Sequence, residues 1–166
     1  AASLPVTVDA DAKLCVDINL NNKPWLGMVI NGKTFDGGKH TISNLNMSQY
    51  LLNQQATIYT PEACIGLFAA VYGNAAIKDI TLDRVTIEPS AEKSPKWVGS
   101  LVGYSKGTGT TYTNCIAKNV KILTEGTNSF RVGGLIGYIE KNKGTSDATA
   151  TLTGCKVETA NIAASF

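Results

Sequence analysis

The chain reads as an all-β solenoid, a β-helix of about four coils with three short strands per coil, and three observations predict it. The first is a repeated apolar template at positions x, x+2, x+5 and x+7. It appears as Leu45, Met47, Tyr50, Leu52, then Ile80, Leu82, Val85, Ile87, then Cys115, Ala117, Val120, Ile122, and finally Cys155, Val157, Ala160, Ile162. The starts lie 35, 35 and 40 residues apart, and repetition at such a period marks a solenoid. The second observation is the step of two within the template, which is the in-and-out alternation of a strand. Between the paired steps the phase breaks by one residue, so the chain turns a corner at Asp83-Arg84, Lys118-Asn119 and Glu158-Thr159. An α-solenoid would instead space its apolar residues by three and four. The third is a Gly-rich segment ahead of three templates: Cys64-Ile-Gly-Leu-Phe-Ala, Val98-Gly-Ser-Leu-Val-Gly-Tyr and Val132-Gly-Gly-Leu-Ile-Gly-Tyr.

Taken in chain order, residues 1–24 hold the alternating sets Leu4, Val6, Val8 and Leu14, Val16, Ile18, Leu20, read as two strands that cap the solenoid or form its first coil. Residues 25–166 hold the repeats, and the whole is a single domain. Segments 53–62, 89–96 and 140–149 are rich in polar residues, Pro or Gly and read as connecting loops, the sites where solenoid function most often resides. Asn44, Asp79, Asn114 and Gly154 precede the four templates, and such residues suit a bend. Glycine weakens an isolated strand, so its recurrence requires a reason. Close backbone approach is one. A phosphate cradle is the other, although no Lys-Ser/Thr pair or helical pattern follows the glycines. After Ile162 no cap is evident, so the chain is read as a fragment of a longer array or as one whose last edge is exposed or shared.

A chain of 166 residues can bury a core. Charged residues are only 17%, and the net charge of +2 gives no argument for nucleic acid or an anionic membrane. No apolar run reaches the ~18 residues of a membrane span. The cysteines at 15, 64, 115 and 155 lack metal-ligand spacing. Cys115 and Cys155 share a template column, where they read either as stacked free thiols or as a cross-coil disulfide. Cys15 is out of phase with Leu14, Val16, Ile18 and Leu20 and should face away from them.

Two further runs are distinctive. Gly133-Gly134-Leu135-Ile136-Gly137-Tyr138 is followed by Leu152-Thr153-Gly154-Cys155, and Gly99-Ser100-Leu101-Val102-Gly103-Tyr104 by Thr113-Asn114-Cys115. Ahead of them stands Thr34-Phe35-Asp36-Gly37-Gly38-Lys39-His40-Thr41-Ile42-Ser43-Asn44-Leu45. These runs resemble the GLUG-motif repeat, and the resemblance covers roughly residues 13 to 162. It departs at the first Gly-rich strand, where Ile65 replaces a glycine and Ala69-Ala70 the Gly-Tyr pair. The resemblance implies a right-handed parallel β-helix in a bacterial surface or secreted protein of adhesin-like kind. It implies no catalytic residues.

The residues themselves point the same way. A hydrolase needs a nucleophile, a base or paired carboxylates placed together. His40 is the only histidine, and no Gly-x-Ser-x-Gly elbow occurs. The catalytic alternative is a β-helix polysaccharide lyase or glycoside hydrolase, which needs clustered carboxylates. The columns through Asp79 (Asn44, Asn114, Gly154) and Asp83 (Ser48, Lys118, Glu158) gather no like charge. The expected protein is therefore not an enzyme and carries no cofactor or metal. The resemblance implies in addition a surface or secreted module, extracellular or on the bacterial cell surface, expected to bind a host or microbial glycan or surface protein or to serve as a spacer. Further repeats or domains would complete a longer chain. The expected contact residues are Tyr104 and Tyr138, which share one place in successive Gly-rich strands, with Trp97 beside them. The competing reading has these rings covering the core or stacking on one another. Thr110, Thr111, Thr113 and Thr149, Thr151, Thr153 read as outward β-formers rather than an ice-binding ladder, because no Thr-x-Thr recurs in every coil.

Overall fold

The computed structural model describes residues 6–48, 64–89, 97–125, 131–141 and 150–165. Among these the chain is all-β. The strands are β1 (Val6–Val8), β2 (Ala12–Lys13), β3 (Ile18–Asn19), β4 (Met28–Asn31), β5 (Thr34–Asp36), β6 (Thr41–Asn46), β7 (Cys64–Ile65) and β8 (Phe68–Tyr72). They continue with β9 (Ala76–Ile87), β10 (Trp97–Gly99), β11 (Val102–Lys106), β12 (Thr110–Glu125), β13 (Arg131–Gly133), β14 (Ile136–Glu140), β15 (Ala150–Thr153) and β16 (Lys156–Ser165). A five-stranded sheet runs β1-β4-β8-β11-β14 and a three-stranded sheet β13-β10-β7. The third sheet runs β15-β12-β9-β5-β2, with β16 also on β12 and β6 joining β3 to β9.

The strand pairing is parallel and joins residues one repeat apart. Phe68 lies beside Val102 and Val102 beside Ile136; Ile80 lies beside Cys115, and Ala117 beside Val157. The Gly-rich segments supply two strands per repeat rather than one: Val98-Gly99 sits in the three-stranded sheet and Val102-Gly103-Tyr104 in the five-stranded one.

The long strands are built on a five-residue unit. In β9 the buried side chains are Ile77, Ile80, Leu82, Val85 and Ile87, and between them Asp79 and Arg84 take left-handed φ of 52° and 55°. Each left-handed residue turns the next pair of side chains back to the interior. The same bends recur at Asn114 and Asn119, at Gly154 and Thr159, and at Lys39 and Asn44. Asn and Asp tolerate this conformation because their short polar side chains bond locally; Thr and Arg have no such advantage.

This unit corrects the first template. Leu45 pairs with Val85, not with Ile80, and Ile42 pairs with Leu82. The column of Ile80 is entered by His40, whose carbonyl accepts the Thr81 N–H at 3.2 Å. Because the template overlaps itself after five residues, an apolar-only reading slides by one unit where the first position is histidine. Accordingly Lys39, not Asn44, belongs with Asp79, Asn114 and Gly154, and the neighbour of Asp83 is Ser43, not Ser48. Tyr50 and Leu52 lie outside the described residues, as do Leu4, residues 53–62, 90–96 and 142–149.

The core is made of the inward columns. Ile42, Leu82 and Ala117 form one, Leu45, Val85 and Val120 a second, and Met47, Ile87 and Ile122 a third, all nearly inaccessible. Each Val, Leu, Ile or Met among them contributes roughly 1.5–3 kcal/mol of burial. A buried polar pair bridges two sheets, where the Tyr112 hydroxyl donates to Ser105 Oγ at 2.7 Å. Burial pushes the Tyr112 phenol pKa well up.

The two ends differ from the middle. Val157, expected inward, is 37% exposed, and Leu152 and Ile162 are exposed beside it. Within the described residues β15 and β16 pair only with β12, so no further rung covers them. At the other end Val16, also expected inward, is 65% exposed, because β2 stops at Lys13 and β3 starts at Ile18. Cys15 faces solvent as expected.

Candidate binding site

The Gly-rich strands pack backbone against backbone. A Cβ on Gly103 would stand 2.8 Å from the Ile65 nitrogen and 2.9 Å from the Ala69 oxygen. The three-stranded sheet can therefore lie directly against the five-stranded one, which is the close approach the repeated glycines call for. Leu101, in the reversal between β10 and β11, is buried, and the neighbouring Ser100 hydroxyl donates to the Gly134 carbonyl.

That contact sets Trp97, on β10, over Tyr104, on β11. Their rings stack with centroids 4.6 Å apart and planes 25° apart. Trp97 also stacks on Tyr138 at 5.6 Å and 13°. Tyr104 and Tyr138 are register partners in the five-stranded sheet, with centroids at 6.0 Å. Tyr72 meets Tyr104 edge-on at 6.0 Å. Arg131, the register partner of Trp97, places its guanidinium 4.1 Å from the centre of the Tyr138 ring, a cation–π contact.

The three expected residues thus come together, but not as an outward platform. Tyr104 is buried, with 1% of its surface accessible. Trp97, Tyr138 and Tyr72 cover it, and its hydroxyl donates to Glu140. Burial first, then the Glu140 carboxylate, pushes its phenol pKa far above the ordinary tyrosine value. Lys106 pairs with Glu140 at 3.0 Å. The half-buried Trp97 and Tyr138 and the exposed Arg131 and Lys106 form the accessible part of the cluster.

Arg131, Lys106, Glu140 and Tyr72 were missed from sequence. The signal was present: Arg131 precedes Val132-Gly133 as Trp97 precedes Val98-Gly99, and Tyr72, Lys106 and Glu140 share one register column. Cys64, unplaced from sequence, pairs with Trp97 in register. Ala70 interrupts the tyrosine column at the preceding rung.

Other candidates resolve differently. His40 Nδ1 lies 3.1 Å from Asp17 Oδ1, which also accepts the Thr41 N–H at 2.9 Å. The Thr41 bond, then His40, holds the Asp17 carboxyl below the usual range. Asp79 accepts from Asn114 Nδ2 at 3.0 Å, while Asp83 accepts from Asn119 at 2.8 Å and pairs with Arg84 at 2.8 Å. Among the described residues no three His, Cys, Asp or Glu side chains gather as metal ligands. None of the four cysteines is in a disulfide; Cys115 and Cys155 bond equivalent carbonyls, of Ile77 at 3.4 Å and Tyr112 at 3.3 Å. Thr111 and Thr113 sit beside Thr151 and Thr153, but the preceding rung holds Ala76 and Lys78. No helix of the described residues is long and apolar enough to cross a membrane.

No protein-family model, curated protein or solved structure matches the chain.

Proposed function

We propose that the chain is a right-handed parallel β-helix of the GLUG-repeat kind. It works outside the bacterial cell, secreted or at the cell surface, as a non-catalytic adhesin-like module that contacts a glycan through Trp97, Tyr138 and Arg131. The observation that carries this reading is the half-exposed aromatic stack capped by a cation. Aromatic faces and edges take the C–H surface of a sugar ring, and Arg131 supplies hydrogen-bond donors in a fixed fork. The successive register of parallel strands supports the solenoid: Met28, Phe68, Val102 and Ile136 lie side by side across four strands. Tyr104 serves as the buried support of the stack and not as a contact.

Against the catalytic alternative, Asp79 and Asp83 are each engaged by a neighbouring Asn or Arg side chain, without a facing carboxylate partner among their hydrogen bonds. The purified chain is expected to turn over no polygalacturonate or other common polysaccharide, with or without calcium. Product formation that disappears with Asp79→Ala or Asp83→Ala reverses that part of the reading. The binding part is tested on a glycan and surface-protein array. A glycan binder whose signal falls with Trp97→Ala and with Arg131→Ala supports it. A binder indifferent to both changes, or an array without glycan binders, overturns it.

A further inference from the structure

The large apolar side chains exposed among the described residues are Val6, Val16, Leu152, Val157 and Ile162. All of them lie on the first or the last rung of the stacked strands. The first rung leaves β1, β2 and β3 at sheet edges, and the last leaves β14, β15 and β16 at the opposite edges. Exposed edges are templates for further pairing.

We propose that copies of this chain join head to tail, the β14, β15 and β16 edges of one seating on the β1, β2 and β3 edges of the next. The register columns decide the fit. Val6 leads through Met28, Phe68 and Val102 to Ile136. Ala12 leads through Phe35, Ile77 and Tyr112 to Leu152, and Ile18 through Ile42, Leu82 and Ala117 to Val157. A second copy added in the same register therefore sets Val6 on Ile136, Ala12 on Leu152 and Ile18 on Val157, apolar on apolar in each case. All the strands run parallel, so each new pair continues an existing sheet.

Charge agrees with the same register. Asp17 precedes Ile18 and Lys156 precedes Val157, so the two fall level at the junction. The Asp17 side chain is 74% exposed and the Lys156 side chain 56%. In the next column Asn19 falls on Glu158, an amide beside a carboxylate. One column is adverse: Asp9 falls level with Glu140, whose charge Lys106 offsets at 3.0 Å. The contact uses different surfaces on the two copies and adds each copy along the direction in which the strands stack, so it builds open rows rather than a dimer.

Sedimentation velocity of the purified chain over a concentration series tests this. The weight-average mass should climb from 17.5 kDa without levelling at twice that value. Val157→Lys, at a position already exposed in the monomer, should weaken association roughly tenfold or more by placing an unpaired charge in the apolar contact. Asp17→Lys and Lys156→Asp should each weaken it, and the double change should restore it. Circular dichroism unchanged from the parent chain shows that each variant is folded. A monomer throughout the series, a plateau at the dimer, association indifferent to Val157→Lys, or a double change that fails to restore it overturns the proposal.

Discussion

Among the described residues Thr159 is the one β-branched residue held in the left-handed region, at φ 55°, in a column it shares with Asn44, Arg84 and Asn119. A non-glycine residue there costs on the order of 1–3 kcal/mol, more for a β-branched one than for Asn. Thr159→Asn should therefore stabilise the chain by about 1 kcal/mol, read as a raised midpoint in thermal or urea unfolding. Two phenols set a second expectation. Tyr104 and Tyr112 are held neutral by burial, so their folded pKa values stand above the ordinary 10.0. A raised pKa contributes stability that is whole below the unfolded value and is lost as pH rises beyond it. Unfolding should accordingly be promoted above about pH 10, and Tyr112→Phe should blunt that loss while leaving neutral-pH folding intact. Urea midpoints measured from pH 7 to 11 read both effects. A midpoint that rises through this range contradicts the sign.

The narrow contact between β7 and β11 is decided by glycine. A Cβ on Gly103 meets the backbone of Ile65 and Ala69, which cannot move aside as a flexible side chain would. Gly103→Ala should destabilise by about 2 kcal/mol or more, and should loosen the stack of Trp97 on Tyr104, visible in tryptophan fluorescence. Gly32, with nothing near its added Cβ but a φ of 62°, should cost only the backbone strain of about 1 kcal/mol when changed to Ala. Equal losses at the two sites would refute the packing argument. In β9 the buried Ile80 has no partner for a charge, so Ile80→Asp should abolish cooperative folding.

Across the molecule, protection is expected to follow the number of strands that cover each rung. β9 and β12 lie between partners on both sides, whereas β15 and β16 pair on one side and leave Leu152, Val157 and Ile162 exposed. Hydrogen exchange, measured on dilute chain, should be slowest through 76–87 and 110–125 and fastest through 150–165, because local opening is least costly where few apolar contacts are lost. Uniform exchange along the ladder would contradict it. Much of this arrangement was legible beforehand. Steps of two with a phase break announced strands and bends, and the Gly-Leu-Val-Gly-Tyr recurrence announced in-register tyrosines. What was misread at this scale was the phase of the first repeat, since a pattern that repeats every five residues overlaps itself when shifted by one unit.

The sequence by itself determined that the protein is all-β, which residues alternate into the core of the middle repeats, and that Tyr104 and Tyr138 take the same place in successive strands. These follow from local period, because side-chain direction in a strand depends only on counting residues. Tertiary structure alone decided that Tyr104 is buried under Trp97, that Arg131 caps Tyr138, and that Val157 is exposed although its column partners are not. Each of those depends on what the neighbouring strand or sheet places on top of a residue. Periodicity says which way a side chain points, but not whether anything lies there to meet it.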